Sequence, residues 1–219
     1  MTMNLAYLYL YAIVSLIHLY SCFFQKTFTK NCTKPLLMLS LFAYYYTSTN
    51  VHSKLLLFSI ALSFQGDVYL MFDKGFWFGV AAFWFSDAFY TIILVKEISI
   101  VNYTYLSTLI TLYLSFYVFV AYKSVWNYLE NTKLHGFIFG LPLLSNNLVS
   151  VYNLIYSFTY SNLLIVVGTL LYCISDYILV VTIYKRKIKH SNFIIMLTYI
   201  LAQGSIIGGL TQKTAINSF

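Results

Sequence analysis

Residues Leu163 to Lys189 read LLIVVGTLLYCISDYILVVTIYKRKIK. From Leu163 to Tyr184 the run is apolar except for small polar side chains and one charge, Asp176, and it ends on Lys185, Arg186, Lys187 and Lys189. An apolar stretch of ~20 residues is what an α-helix needs to cross the hydrocarbon core. Lys and Arg gathered at its end mark the cytoplasmic side. One stretch thus gives an element, its solvent and its direction. It also holds a carboxylate where insertion scales set a cost of ~2.5 to 3.5 kcal/mol, which makes Asp176 a functional candidate.

The rest of the chain has the same character. Of 219 residues, 60% are apolar or aromatic and 9% are charged, whereas a soluble domain carries nearer ~25% charge. The formal charge of +7 does not argue for nucleic acid, because that partner needs cations gathered on a water-facing surface. The expected solvent is the lipid bilayer. Apolar runs between charged breaks predict eight spans, near Leu5 to Phe24, Pro35 to Tyr46, Leu55 to Phe72 and Phe76 to Val95, then Tyr103 to Ala121, Leu134 to Val151, Leu163 to Tyr184 and Phe193 to Leu210. The reading is an all-α membrane bundle forming one transmembrane domain over residues 1–219, with no repeat or low-complexity segment.

The cations test this division independently. Loops 1, 3, 5 and 7 hold Lys26, Lys30, Lys34, Lys74, Lys123, Lys133, Lys185, Arg186, Lys187 and Lys189, against Lys54, Lys96 and Lys213 on the other side. Ten against three places both termini on the non-cytoplasmic face. Tyr44, Tyr45, Tyr46, Tyr103, Tyr105, Tyr152 and Tyr156 fall near the outer boundary, at headgroup level. Cys22, Cys32 and Cys173 have no CxxC spacing, and His18, His52, His135 and His190 show no HxxxH. The sequence therefore predicts no metal site.

Three of the six acidic residues, Asp67, Asp87 and Asp176, lie inside predicted spans, and no cation does. At 1.5 Å per residue, Asp67 lies roughly 7 Å from the cytoplasmic end of its span, Asp176 about 12 Å, Asp87 about 16 Å, and Gln203 about 15 Å. Four polar groups from four helices share the inner half of the membrane, and if they converge laterally they form a polar cavity. Gly79, Phe83, Asp87 and Tyr90 or Thr91 follow one face of the fourth helix, and Thr169, Tyr172, Cys173 and Asp176 one face of the seventh. The competing reading is that each Asp is protonated and hydrogen-bonded to a neighbour, holding helices together. Gly75 with Gly79, and Gly204 with Gly208, have the small-xxx-small spacing of close helix packing. His18 reads as an interior hydrogen-bonded histidine, with a place in the cavity as the alternative. The basic loops either set topology or hold lipid phosphates.

Particular words in the chain resemble the YhhN-type lysoplasmalogenase family of eight-span membrane proteins. Thr33-Lys34-Pro35-Leu36 is similar to that family's TKPL word, and Ser63 with Gly66-Asp67 to its S-x-x-G-D word. Phe76, Gly79 and Phe83 follow its helix 4 pattern, Gly168 with Ser175-Asp176 its helix 7 pattern, and Tyr199 with Ala202-Gln203 its last word. There are departures: Asp87 stands where the family has a histidine, with Tyr90 in place three residues on, and helices 5 and 6 match poorly.

The resemblance implies hydrolysis of the vinyl ether bond of lysoplasmalogen to a fatty aldehyde and a glycerophospho-base, without a metal or other cofactor. Vinyl ethers hydrolyse by proton transfer to carbon, giving an oxocarbenium ion that water captures, so an acid and a carboxylate are needed, as in glycoside hydrolysis. On this reading Asp67 and Asp176 are the acid and base in an unassigned order, and Lys34 meets the substrate's phosphate. Gln203 and Tyr90 position water or the ether oxygen, Gly66, Gly79 and Ser175 support, and Asp87 stays ambiguous. A proton-coupled transporter and a catalytically silent lipid-binding protein are the rival readings; intramembrane carboxylates also mark proton relays, but the chain lacks evident inverted repeats.

Overall fold

A computed structural model of the chain describes residues 2–98, 101–124 and 133–216. Among them are eight α-helices: α1 (Thr2–Phe23), α2 (Thr27–Ser48), α3 (Lys54–Tyr69), α4 (Phe76–Lys96), α5 (Tyr103–Ser124), α6 (Lys133–Tyr156), α7 (Tyr160–Tyr184) and α8 (Ser191–Ile216). A 3-10 turn, Asp73–Gly75, leads into α4. Five helices, α1, α4, α5, α7 and α8, are long and apolar enough to cross a membrane. The chain is an all-helical, multi-pass membrane protein.

The other three helices have clear reasons for falling short of that measure. Helix α3 has only 16 residues. Helices α2 and α6 carry polar side chains that face protein: Thr33 and Ser40 on α2, and Asn146, Asn147, Ser150 and Asn153 on α6, are all buried. A helix enclosed by other helices can spend positions on hydrogen bonds that a lipid-facing helix must keep apolar.

Packing orders the helices into a ring, α1–α2–α3–α4–α6–α7–α8, closed by α8 against α1 and α2, with α5 outside it along α6. None of the apolar window of α5 is buried, which is what lipid contact on most sides requires. The core runs through the ring's interior, where Leu37, Leu41, Tyr45, Ile60, Tyr90, Ile165, Ala202, Ile206 and Ile207 are enclosed.

Two prolines lie inside helices. Helix α2 begins at Thr27, about two turns before the Pro35 at which the sequence predicts the span to open. Pro35 is a plausible first residue by its missing N–H, but membrane helices tolerate an interior proline where neighbours meet the freed groups. Lys30 and Lys34 therefore lie on α2 and not in a loop. On α6, Pro142 leaves the carbonyl of Ile138 without its i+4 donor, and the indole of Trp84 on α4 donates to that carbonyl at 3.1 Å.

Glycines let the closest pair meet. A Cβ on Gly168 would stand 2.9 Å from the carbonyl oxygen of Ala202, and one on Gly209 2.8 Å from that of Ser161. The α7–α8 approach thus rests on one glycine from each helix. Of the predicted Gly204 and Gly208 pair, a Cβ on Gly204 would meet only the Tyr11 ring, at 3.1 Å, and one on Gly208 would meet nothing within 4 Å, so that expectation is corrected. A Cβ on Gly66 would run into the Phe83 ring, and one on Gly79 would stand 3.1 Å from the carbonyl oxygen of Gly66, so these glycines let α3 and α4 come together.

Candidate active site

The ring encloses a cavity of about 200 Å³ at the end where the α1–α2, α3–α4 and α7–α8 connections lie. Its walls come from α1 (His18, Cys22), α2 (Lys30, Lys34), α3 (Asp67) with Leu70 just past its end, α4 (Phe83), α7 (Tyr172, Ser175, Asp176, Leu179) and α8 (Asn192, Ile195, Met196, Tyr199). Six helices contribute, so no two-helix unit contains the site.

Asp67 is held from two sides. Its Oδ1 lies 3.5 Å from Lys34 Nζ, and its Oδ2 accepts a hydrogen bond of 2.8 Å from Tyr199 Oη. The side chains of Asp67 and Lys34 are 3% and 13% exposed, so the pair is almost wholly removed from water. An opposite charge and a donor both favour the ionised carboxylate. Lys34 thus faces Asp67, where the sequence reading has it meeting a phosphate.

Asp176 stands in the α7 wall of the same cavity and accepts no hydrogen bond among the described residues. Its neighbour Ser175 is turned away, donating to the carbonyl of Ile195 at 3.1 Å and tying α7 to α8. Phe83, Tyr172 and Tyr199 surround the carboxylates with ring edges. Tyr199 is edge-on to Phe83 at 5.9 Å and to Tyr172 at the same distance. Tyr172 is buried, and its hydroxyl has no hydrogen-bond partner among the described residues, so an unused donor faces the cavity.

Asp87 does not reach the cavity wall. It is 4% exposed, its Oδ1 accepts from Asn146 Nδ2 at 3.3 Å, and Asn146 Oδ1 in turn accepts from Thr91 at 2.8 Å. Tyr90 and Gln203 are likewise outside the wall, joined by a hydrogen bond of 3.3 Å from Tyr90 Oη to Gln203 Oε1, with Gln203 Nε2 buried and unpartnered. The convergence expected of four polar groups is therefore partial. Asp67 and Asp176 line the cavity, whereas Asp87 and Gln203 lie behind it.

Gly66 and Gly79 act by letting Phe83 and Leu70 close against the α3 and α4 backbones. Ser63 belongs to the same seam. Ser86 donates to the carbonyl of Ser59 at 2.8 Å, so Ser63 donates to Ser86, 2.8 Å away. Tyr199, Tyr172 and Asn192 are cavity residues that the sequence reading does not single out as site residues. For Tyr199 a signal existed: it is eight residues into α8, about 12 Å deep, the depth of Asp176.

The sequence profile of the YhhN family matches residues 29–210 of the chain. No curated protein and no solved structure matches it.

Proposed function

The chain belongs to the YhhN family, and from that premise we propose that it is a membrane-embedded hydrolase cleaving the vinyl ether bond of lysoplasmalogen-like lipids. The observation that carries this reading is the pairing of an ion-paired carboxylate, Asp67, with an unpaired one, Asp176, across one cavity. Two carboxyl groups in different environments suit an acid and a base.

Asp67, matched by Lys34 and Tyr199, is the carboxylate. Asp176, which lines the cavity with no ion pair among the described residues, carries the proton. In the first step the carboxyl of Asp176 gives its proton to the vinyl carbon remote from oxygen. The π pair forms the new C–H bond, and the adjoining carbon and oxygen share the positive charge beside Asp67. Water then adds to the cationic carbon while Asp67 takes a water proton, leaving a hemiacetal. Asp67 returns that proton to the glycerol oxygen as the C–O bond breaks, and the hemiacetal O–H proton passes to Asp176. One water is consumed, both carboxyl groups are restored, and aldehyde and glycerophospho-base leave.

All eight helices cross the bilayer on this reading, with both termini on the non-cytoplasmic side. In support, the cavity end of the bundle is where Lys26, Lys74 and the Lys185 to Lys189 cluster lie. A lysophospholipid from the cytoplasmic leaflet then enters headgroup last. The test is fatty aldehyde release by the purified protein from a lysoplasmalogen. Aldehyde formed in proportion to enzyme is expected, and its absence with transport or binding intact overturns the hydrolase reading.

A further inference from the structure

Two lysines line the cavity from one helix. Lys30 and Lys34 are four residues apart on α2, so they lie on one face, about 6 Å apart along the axis. They continue the inward stripe of Leu37, Leu41 and Tyr45 toward the helix start. Lys34 is committed to Asp67. Lys30, one turn nearer the mouth, makes no ion pair among the described residues.

The turn that carries both lysines is fixed from α1. His18 is fully buried and its Nδ1 lies 2.8 Å from Thr33 Oγ1. The Thr33 hydroxyl donates to the carbonyl of Thr29 at 2.8 Å, so it must accept from His18, and His18 Nδ1 carries the proton. His18 Nε2 is then the acceptor facing Cys22 Sγ at 3.5 Å. Asn192, near the start of α8, completes this part of the wall with an amide. The first turn of a long helix favours an anion there.

Building on the lysophospholipid reading above, we propose that Lys30 binds the lipid's phosphate and that its one-turn offset from the Lys34–Asp67 pair selects the bond presented to the carboxylates. The lengths agree. From phosphorus to the ether oxygen of a 1-alkenyl glycerophospholipid there are five bonds, about 6 Å at the rise per bond of an extended chain. That equals the helical turn between the lysines. A phosphate on Lys30 sets the ether oxygen level with Asp67, and the chain beyond it lies among Phe83, Tyr172 and Met196. An ammonium is a compact charge suited to phosphate without regard to the base attached.

The test uses the full-length protein in lipid nanodiscs and an ester-linked lysophosphatidylcholine, which has no vinyl ether and binds without this turnover. Lys30→Met, which keeps the apolar stem, is expected to raise its Kd at least about tenfold, the scale of a charged hydrogen bond. Lys30→Arg should restore most of the affinity. Monoacylglycerol, lacking phosphate, should bind weakly and equally to wild type and Lys30→Met. Glycerophosphocholine and inorganic phosphate should not displace the lysolipid at equal concentration. An unchanged Kd in Lys30→Met overturns the proposal, as does a parallel loss of monoacylglycerol binding, which marks a structural role. Displacement by free phosphate also overturns it, in favour of a soluble-anion site. With vinyl ether substrate, Lys30→Met should raise KM more than it lowers kcat. A wild type that binds lysolipid through Lys30 yet releases no aldehyde supports the phosphate site and sinks the hydrolase reading; unchanged KM in an active Lys30→Met does the reverse.

Discussion

The buried carboxylates of this protein sit in two different settings. On the α1, α2, α3, α7 and α8 side, Asp67 and Asp176 face open volume. Between α4 and α6, Asp87 is set in a chain of side chains, Thr91 to Asn146 to Asp87, while Asn147, Thr169, Ser150 and Tyr113 form a second such chain linking α5, α6 and α7. The residue type is the same in both regions. What separates them is that Asp67 and Asp176 line a cavity, whereas Asp87 is enclosed by protein alone. A satisfied network holds helices together, and an intramembrane carboxyl facing a cavity is available to a ligand.

The strongest way to break this contrast is at the cavity carboxylates. Asp67→Asn and Asp176→Asn are each expected to lower aldehyde release by ~10²- to 10⁴-fold, the usual contribution of an acid or base. Thermal unfolding should be little changed in Asp176→Asn and lowered in Asp67→Asn, where Lys34 loses its buried partner. Near-wild-type turnover in either variant would make that Asp structural and dissolve the two-carboxylate mechanism. A smaller effect is expected across the divide. Asp87→Asn keeps an oxygen to accept from Asn146, so turnover should stay within about fivefold of wild type, the range that ~1 kcal/mol covers. Asp87→His, which restores the residue that the family pattern carries, should match or exceed wild type. If Asp87→Asn is as inactive as Asp67→Asn, Asp87 belongs to the reacting set and the two regions are one. The smallest effect is expected at Trp84→Phe. It strips the donor from the Ile138 carbonyl that Pro142 leaves open, costing ~1 kcal/mol and lowering the unfolding midpoint by ~2 to 4 °C without changing turnover. Any larger loss of activity there would tie the α4–α6 seam to the chemistry.

How far the sequence carried can be followed residue by residue. Eight helical segments were legible because apolar runs and cations punctuate the chain. The start of α2 was not, because Lys30 and Lys34 read as loop residues until a cavity is present to receive them. Depth could be counted along each helix and placed Asp67, Asp87, Asp176 and Gln203 in one half of the membrane. The angle about each axis relative to its neighbours cannot be counted that way, and it is the angle that turns Asp176 into the cavity and Asp87 toward Asn146. In the sequence Tyr199 stands out only as part of a family word. Its bond to Asp67 spans 132 positions in the chain, and only the packing of α8 near α2 and α3 reveals it. The same holds for Gly168 and Gly209, which lie on different helices and make no small-xxx-small word.

The order of packing has a consequence for how the protein comes to exist. The most extensive contacts are between chain neighbours, α1 with α2, α3 with α4 and α7 with α8. Helical hairpins of this kind form early, because little chain must be closed to make them. None of them holds both of the carboxylates that line the cavity. The first supplies Lys34, the second Asp67, the third Asp176 and Tyr199. A nascent chain that has inserted only its first two hairpins carries the lysine and its carboxylate partner, but lacks the Asp176 wall on α7 and Tyr199 on α8. On the proposed mechanism a lipid entering such a half-built bundle would meet only half of the chemistry, and activity would begin with the last hairpin's arrival.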